Sequence, residues 1–500
     1  MMSVVPGFSI KSLSKIELII ISVLLSVSFI LRFPQLGYSH FYGDETKAVF
    51  YNKSISITDY LLDQRKGPVQ FIITWLTENT FNSFNEVYIR LPFALSGFLS
   101  VIIFYLIVRN MFGWKEAAFA SSLFTLSGFN IAFSRTAQYQ SVLIMFCLVS
   151  IFLSLLYEKN KKVMLIFLSS IFLSLGILTH YDSLFFVIPA AMIFFKSSGI
   201  KNFTIYFLIP VIIFSTVFYG PYLINGYFSE RTQNYVIRRI TGQEYRPSSS
   251  VYTMKVYNPD VFYLLIMLFS FFYFANESEQ NSRRRYFATG INYKKITVFF
   301  WFLIPFIVFE LIFQNPGTHI NNYLIPIYIM SGVGFVNLIE KNSVSFKLKK
   351  IMIGTVTATL LVSLLIKASV YIPFLNTGYP WKDQYTLYNL RKANNNYHLY
   401  LYGFPYYRGW DVVREYMLTK KGVRGIYTND NAILAEYYLR EFDITPPGSN
   451  YLPQYYIDVV DNQEFKLADP VLLSSYSIEK EIYVDGILNA TIYKKLISVL

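Results

Sequence analysis

Residues 15–45 read KIELIIISVLLSVSFILRFPQLGYSHFYGDE. The apolar run from about Ile16 to Phe33 is long enough to cross a bilayer, which needs roughly 20 residues at 1.5 Å rise each. Lys11 and Lys15 precede it, and no small-residue cleavage site follows, so it reads as an uncleaved anchor. Working outward, the same kind of block recurs near 89–109, 114–133, 139–157, 162–179, 182–195, 203–225, 260–275, 296–313, 322–339 and 351–371. The 182–195 block is short and holds Pro189, which predicts a tilted or broken helix. Charged residues make up only 15% of the chain and mean hydropathy is +0.38, where soluble domains are about a quarter charged. The expected fold is a polytopic α-helical membrane protein of about eleven transmembrane helices, with a small C-terminal extracytoplasmic α/β domain.

Charge sets the expected orientation. With residues 1–15 in the cytoplasm, the inside loops hold Arg109 and Lys115; Lys159, Lys161 and Lys162; Lys196 and Lys201; Arg283 to Arg285 with Lys294 and Lys295; and Lys341, Lys347, Lys349 and Lys350. The short outside turns hold few cations, Arg135 among them. This is the positive-inside pattern of a multi-pass plasma-membrane protein, N-terminus cytoplasmic and C-terminus extracytoplasmic. It also accounts for the net charge of +13 without nucleic acid as a partner. The membrane domain then covers 16–375, with a first outside loop at 34–88 whose stretch Val69 to Leu76 reads as interfacial, and a second at 226–259. Residues 376–500 alternate strand-like runs (His398–Phe404, Gly425–Thr428, Tyr455–Val460, Ile478–Val484) with helix-like runs (Trp410–Lys420, Ala432–Phe442). Cys147 is the only cysteine, which rules out an intrachain disulfide and a thiolate metal cluster.

The residues able to do chemistry gather outside. Asp44 and Glu45 form an acidic pair just after the first span. A carboxylate there suits a general base or a metal ligand, and equally a helix N-cap. Ser134-Arg135 ends the third span; an arginine at that depth either snorkels to the interface or clamps a lipid phosphate. Lys66 opens a Lys-Gly-Pro turn, from which it can reach an anionic headgroup or stay solvated. Thr179-His180-Tyr181-Asp182 ends the fifth span, and His319 with Tyr323 lies at the junction of the ninth and tenth. All four histidines (His40, His180, His319, His398) fall outside, so a divalent metal held there with Asp44 or Glu45 stays open, although no metal-ligand spacing points to one. Arg231, Arg238, Arg239 and Arg246 mark the 226–259 loop as an interfacial helix or a lid. Tyr402 to Trp410 reads as a sugar-stacking surface or as core, and Asn489-Ala490-Thr491 fits a glycosylation sequon. There is no G-x-x-x-x-G-K-[ST], G-x-S-x-G or H-E-x-x-H.

In order and sidedness these motifs resemble the polyprenyl-phosphate-dependent integral membrane glycosyltransferases, the protein O-mannosyltransferase and aminoarabinose transferase group of the C-type superfamily. The resemblance runs over about 16–340. It rests on Tyr42 to Glu45, Lys66-Gly67-Pro68, Arg90-Leu91-Pro92, Met111-Phe112-Gly113, Phe133 to Ala137, Gly176 to Tyr181 and His319 to Pro326. It implies an inverting transfer of a sugar from a polyprenyl-phosphate donor to an acceptor hydroxyl on an extracytoplasmic glycan, lipid or protein, within a bed of membrane lipid. Asp44 would be the general base, with Glu45 orienting it. Arg135, Lys66 and Arg90 would face the donor phosphate, and His180, Tyr181, His319 and Tyr323 would line the substrate pocket. Many members carry an acidic residue a few positions beyond the Ser-Arg pair; here Thr136 to Gln140 holds none. The competing readings are a transporter or flippase of lipid-linked sugars, and a lipid-pyrophosphate-dependent glycan polymerase or ligase.

Overall fold

Hydrogen bonding decides the architecture first, because a backbone in hydrocarbon must pair with itself. The computed structural model describes residues 13–41, 45–49, 56, 67–82, 84–224, 234, 237–238, 241, 257–275, 292–313, 317–340, 344–372, 403, 407–445, 452–460, 473–484 and 486–496. A helix stands at each expected apolar segment. In chain order the helices are α1 (Lys15–Arg32), α2 (Val69–Phe81), α3 (Glu86–Met111), α4 (Trp114–Leu126), α5 (Gly128–Ser134), α6 (Tyr139–Asn160) and α7 (Val163–Thr179). They continue with α8 (Leu184–Phe203), α9 (Ile209–Ile224), α10 (Asp260–Ser270), α11 (Tyr293–Ile307), α12 (Asn321–Glu340) and α13 (Phe346–Tyr371). Among the described residues, six helical stretches are long and apolar enough to cross a membrane, or seven if the bent pair α4–α5 is one span. Large apolar side chains face outward on these helices. Leu264, Met267 and Phe271 are 65%, 66% and 90% exposed, which water would not tolerate over such an area but lipid does.

Two breaks depart from straight spans. The expected spans 182–195 and 203–225 are separated by a kink, followed by a π-helical segment at Thr204–Leu208. Its break falls at Gly199 (φ 73°, ψ 169°) and not at Pro189. The third span bends by 58° between α4 and α5. The backbone groups freed at that bend are taken up by side chains from elsewhere in the chain: Asn258 accepts from the Gly128 N–H at 2.8 Å, and the Tyr371 hydroxyl donates to the Gly128 carbonyl at 2.8 Å. A Cβ on Gly128 would lie 1.9 Å from the Tyr257 carbonyl oxygen, so only glycine fits.

One end of the bundle collects the cations predicted for the inside loops. Arg109 pairs with Glu17, Lys115 with Glu340 at 2.6 Å, and Lys294 donates to the Asn110 carbonyl at 3.1 Å. In the interior the helices approach through small polar residues, as Ser150 and Ser169 do at 2.8 Å between α6 and α7.

Beyond α13 the described residues resume as a small α/β unit: α14 (Trp410–Leu418), β1 (Ile426–Thr428), α15 (Ala432–Tyr438), β2 (Tyr455–Val459), β3 (Tyr476–Val484) and β4 (Ile487–Lys495). The sheet order is β1-β2-β4-β3, with β1 parallel to β2 and the other pairs antiparallel. The strand-like run His398–Phe404 and the expected boundary near 375 lie outside the described residues apart from Gly403. β4 occupies the stretch read as a sequon. Asn489 is 3% exposed there and its amide donates to the Tyr407 carbonyl, so it offers no site for a glycan. Trp410 is fully buried with its indole N–H on Asp430, which makes it core and not a sugar platform.

Candidate active site

At the end of the bundle opposite the cations, the first loop is wound around one guanidinium. Arg90, in the first turns of α3, is fully buried. Its Nε and Nη2 grip Glu45 as a fork at 2.9 and 2.8 Å. Nη1 donates to the Leu36 and Ser39 carbonyls at 2.8 and 2.6 Å, and Nη2 to the His40 carbonyl at 3.0 Å. Glu45 is also fully buried, and its Oε1 accepts the Ala137 N–H at 2.7 Å. The turn after α5 is thereby tied to the loop after α1. Arg90 is thus engaged by Glu45 and by loop carbonyls, and Glu45 has both oxygens engaged, which makes the pair an anchor of the loop. Asp44 and Lys66 lie outside the described residues. Their neighbours converge nonetheless. Gln70, near the start of α2, donates to the Ala137 carbonyl at 2.8 Å, so the turn of Gly67 and Pro68 and the anchor Glu45 meet at the same backbone residue.

Arg135 caps α5 and is 5% exposed. It reaches back to the end of α1, with Nη1 on the Leu31 carbonyl at 3.3 Å and Nη2 on the Pro34 carbonyl at 2.9 Å. The 58° bend of the third span is what aims it there. The sequence reading missed a second arginine at this junction. Arg32 is fully buried, donates to the Thr125 carbonyl at 3.3 Å, and has no hydrogen-bond partner for Nε or Nη1 among the described residues. The signal was present as a cation closing the first apolar run, within which Arg32 was not singled out.

A second cluster lies alongside. His319 Nδ1 is 2.8 and 3.0 Å from the two Asp182 oxygens, and His180 Nδ1 is 3.2 Å from one of them. The His180 ring stacks on Tyr139 at 3.8 Å, two residues beyond Ala137. Tyr181 is 38% exposed beside it, and the Tyr323 hydroxyl donates to Glu310 at 2.6 Å. His180, Tyr181 and His319 therefore come together as expected, while Tyr323 turns toward Glu310. Asp182, a secondary feature of the motif, is the residue that joins the two histidines.

The α/β unit docks on the same loop. Tyr438 accepts the Phe41 N–H at 2.7 Å and donates to Glu86; burial first, then Glu86, pushes its hydroxyl pKa well up. Tyr437 donates to the Phe84 carbonyl at 2.9 Å, and the His40 ring lies 4.9 Å from the Tyr407 ring, tilted by 48°. His40 Nε2 is 3.5 Å from Asp411. Burial acts to raise the Asp411 carboxyl, but His40 and Tyr407 outweigh it and hold the pKa at about 2. His40 thus serves the docking surface and is not part of a metal set with Glu45. His398, Arg231, Arg239 and Arg246 lie outside the described residues, and Arg238 is exposed.

With this geometry in hand, three likenesses bear on the chain. The family described as dolichyl-phosphate-mannose-protein mannosyltransferase matches residues 65–219, which include Lys66, Arg90, Arg135 and His180. An uncharacterized protein of Aquifex aeolicus (strain VF5) is 26% identical over 395 residues, covering 74% of this chain and 72% of its own. In fold, the chain is similar to ArnT from Cupriavidus metallidurans bound to undecaprenyl phosphate, with TM-score 0.52, 14% identity, and 96% of this chain and 98% of that one covered. The apo state of the same ArnT gives 0.51 at 12% identity, covering 95% and 97%.

Proposed function

We infer that this chain is a multi-pass membrane glycosyltransferase of the polyprenyl-phosphate-dependent group, the reading that the mannosyltransferase match and the shared fold support together. It moves a sugar from a lipid-phosphate donor to an acceptor outside the cytoplasm. ArnT was solved with undecaprenyl phosphate, and the proposal carries that class of lipid to this chain. All eleven apolar segments cross the membrane in this reading. The basic end faces the cytoplasm of a plasma membrane, and the α/β unit, 376–500, sits outside over the first loop.

The observation that carries the reading is the burial of Glu45 between the Arg90 fork and the Ala137 N–H, which fixes the residue next to Asp44 at the junction of α1, α3 and α5. Asp44 is the base. The acceptor oxygen attacks the anomeric carbon and its proton passes to the Asp44 carboxylate. The bond from that carbon to the phosphate oxygen breaks on the opposite face, so configuration inverts. The polyprenyl phosphate leaves with one more negative charge, and Arg135 and Lys66 stabilise it in a partly dry site. Glu45 and Arg90 are positioning residues. His180 and Tyr181 border the same pocket.

Transfer from a radiolabelled polyprenyl-phosphate sugar in proteoliposomes tests this. Asp44→Asn is expected to abolish transfer while membrane insertion and detergent elution stay as in the parent. Full transfer by that variant removes Asp44 as the base.

A further inference from the structure

We propose that His180, Asp182 and His319 form a site for a divalent cation of the zinc type. Two segments 137 residues apart build it. His180 caps the 3-10 turn between α7 and α8, and Asp182 lies within that turn; His319 sits in the 3-10 turn Gly317–Ile320 that leads into α12. One ligand atom from each of the three lies within 4.8 Å of the others, and the residues are 1%, 3% and 6% exposed.

The separations fit an ion. Zinc bonds of about 2.0–2.1 Å to imidazole and carboxylate place neighbouring ligand atoms of a tetrahedron about 3.3 Å apart. The carboxylate lies 2.8–3.0 Å from one imidazole nitrogen and 3.2 Å from the other, close to that spacing. His180 Nδ1 meets the Asp182 carboxylate at 3.2 Å and the Asp182 backbone N–H at the same distance. That nitrogen can donate to the carboxylate or accept from the amide, but not both. A bound cation would take the Nδ1 lone pair in place of the amide proton, together with a His319 nitrogen and a carboxylate oxygen.

The ligands are also held before any ion arrives. The His180 ring lies flat on Tyr139, with an interplanar angle of 7°, and the His319 ring lies parallel to Phe309 at 5.4 Å. Ser183 Oγ and the Asn322 amide bind the carbonyls of the two histidines, each at 2.9 Å. Rigid rings with supported backbones are what a metal site needs. Two imidazoles and one carboxylate select a borderline divalent ion such as zinc over calcium or magnesium, which want oxygen shells. Three protein ligands leave a fourth position, and the partly exposed Tyr181 beside the cluster marks the side from which the ion enters. The ion would pin the start of α8 to the start of α12 and, through Tyr139, steady the turn at Ala137 that holds Glu45.

The test does not depend on sugar transfer. The full chain, its affinity tag removed, is stripped with chelator in detergent and dialysed against Zn²⁺ or Co²⁺. A His40→Ala/His398→Ala background leaves only His180 and His319 as imidazoles, because the chain has four histidines. The expected result in that background is about one zinc per chain by mass spectrometry, visible d–d bands with Co²⁺ that chelator removes, and a thermal unfolding temperature raised by Zn²⁺. His319→Ala and Asp182→Asn are expected to lose the bands. Absence of both bound zinc and d–d bands in the His40→Ala/His398→Ala protein overturns the site, and so does survival of the bands in His319→Ala. If the ligand variants do not fold, the background protein alone decides, since no other imidazole remains in it.

Discussion

Replacing Arg90 with methionine tests the architecture of the first loop most directly. The change keeps an unbranched stem of similar reach and removes the guanidinium. Glu45 then stays fully buried without its guanidinium partner, the Ala137 N–H still on its Oε1. Removing one partner of such a pair costs about 3–5 kcal/mol. The carbonyls of Leu36, Ser39 and His40 lose their donor as well, each worth about 1 kcal/mol where water cannot replace it. Glu45→Gln is milder, because the glutamine oxygen still accepts from Ala137 and Arg90 keeps its loop carbonyls. The double variant removes the stranded charge, so it should be less unstable than the sum of the singles by about 2–3 kcal/mol. Reversible denaturant unfolding of the purified chain in mixed micelles, followed by tryptophan fluorescence, measures all three. Strict additivity, or a cost below about 1 kcal/mol for Arg90→Met alone, would refute the claim that this pair holds the loop.

Three further outcomes follow from named contacts. Arg135→Ala should cut donor use by about 10²–10³-fold with a smaller effect on the acceptor KM, as for loss of one charge-stabilising group; a purely acceptor-side defect would count against the phosphate assignment. Gly128→Ala drives a Cβ to within 1.9 Å of the Tyr257 carbonyl oxygen and should cost about 1–3 kcal/mol through overpacking at the bend. A wild-type melting temperature in that variant would show that the bend tolerates a side chain. Burial raises the Asp458 carboxyl, against a smaller opposing hydrogen bond from Asn429, to a pKa of about 6. Its folded value lies above the unfolded one, so its contribution is full below about pH 4 and is lost as pH rises through 6. Asp458→Asn should therefore flatten the stability profile between pH 4 and 6 and add on the order of 1 kcal/mol or less at pH 7, since the group is only partly buried. An unchanged profile would remove Asp458 as its source.

The helices were legible because their signal is local. A run of apolar residues needs nothing from elsewhere in the chain to be helical in lipid, and each expected segment from Ile16 to Tyr371 is a helix. Strands β1, β2 and β3 were read nearly to their ends, while β4 was not read as a strand. The site was legible only as a list of side chains on one side. Arg90 illustrates the limit: as an arginine at the start of a span it suits a phosphate, and only the return of residues 36–45 onto it shows that its donors are occupied.

By itself, the sequence determined the membrane class, the places of the helices, the sidedness of the charges and the family resemblance. These follow from composition, from 18-to-20-residue periods and from motif order. The tertiary structure alone decided the partnerships: Glu45 with Arg90 and Ala137, Arg135 with the end of α1, and His180 and His319 around Asp182. Apart from His180 with Asp182, these contacts span between 45 and 137 residues of chain. Their strength comes from burial away from water, and burial exists only after the helices have packed.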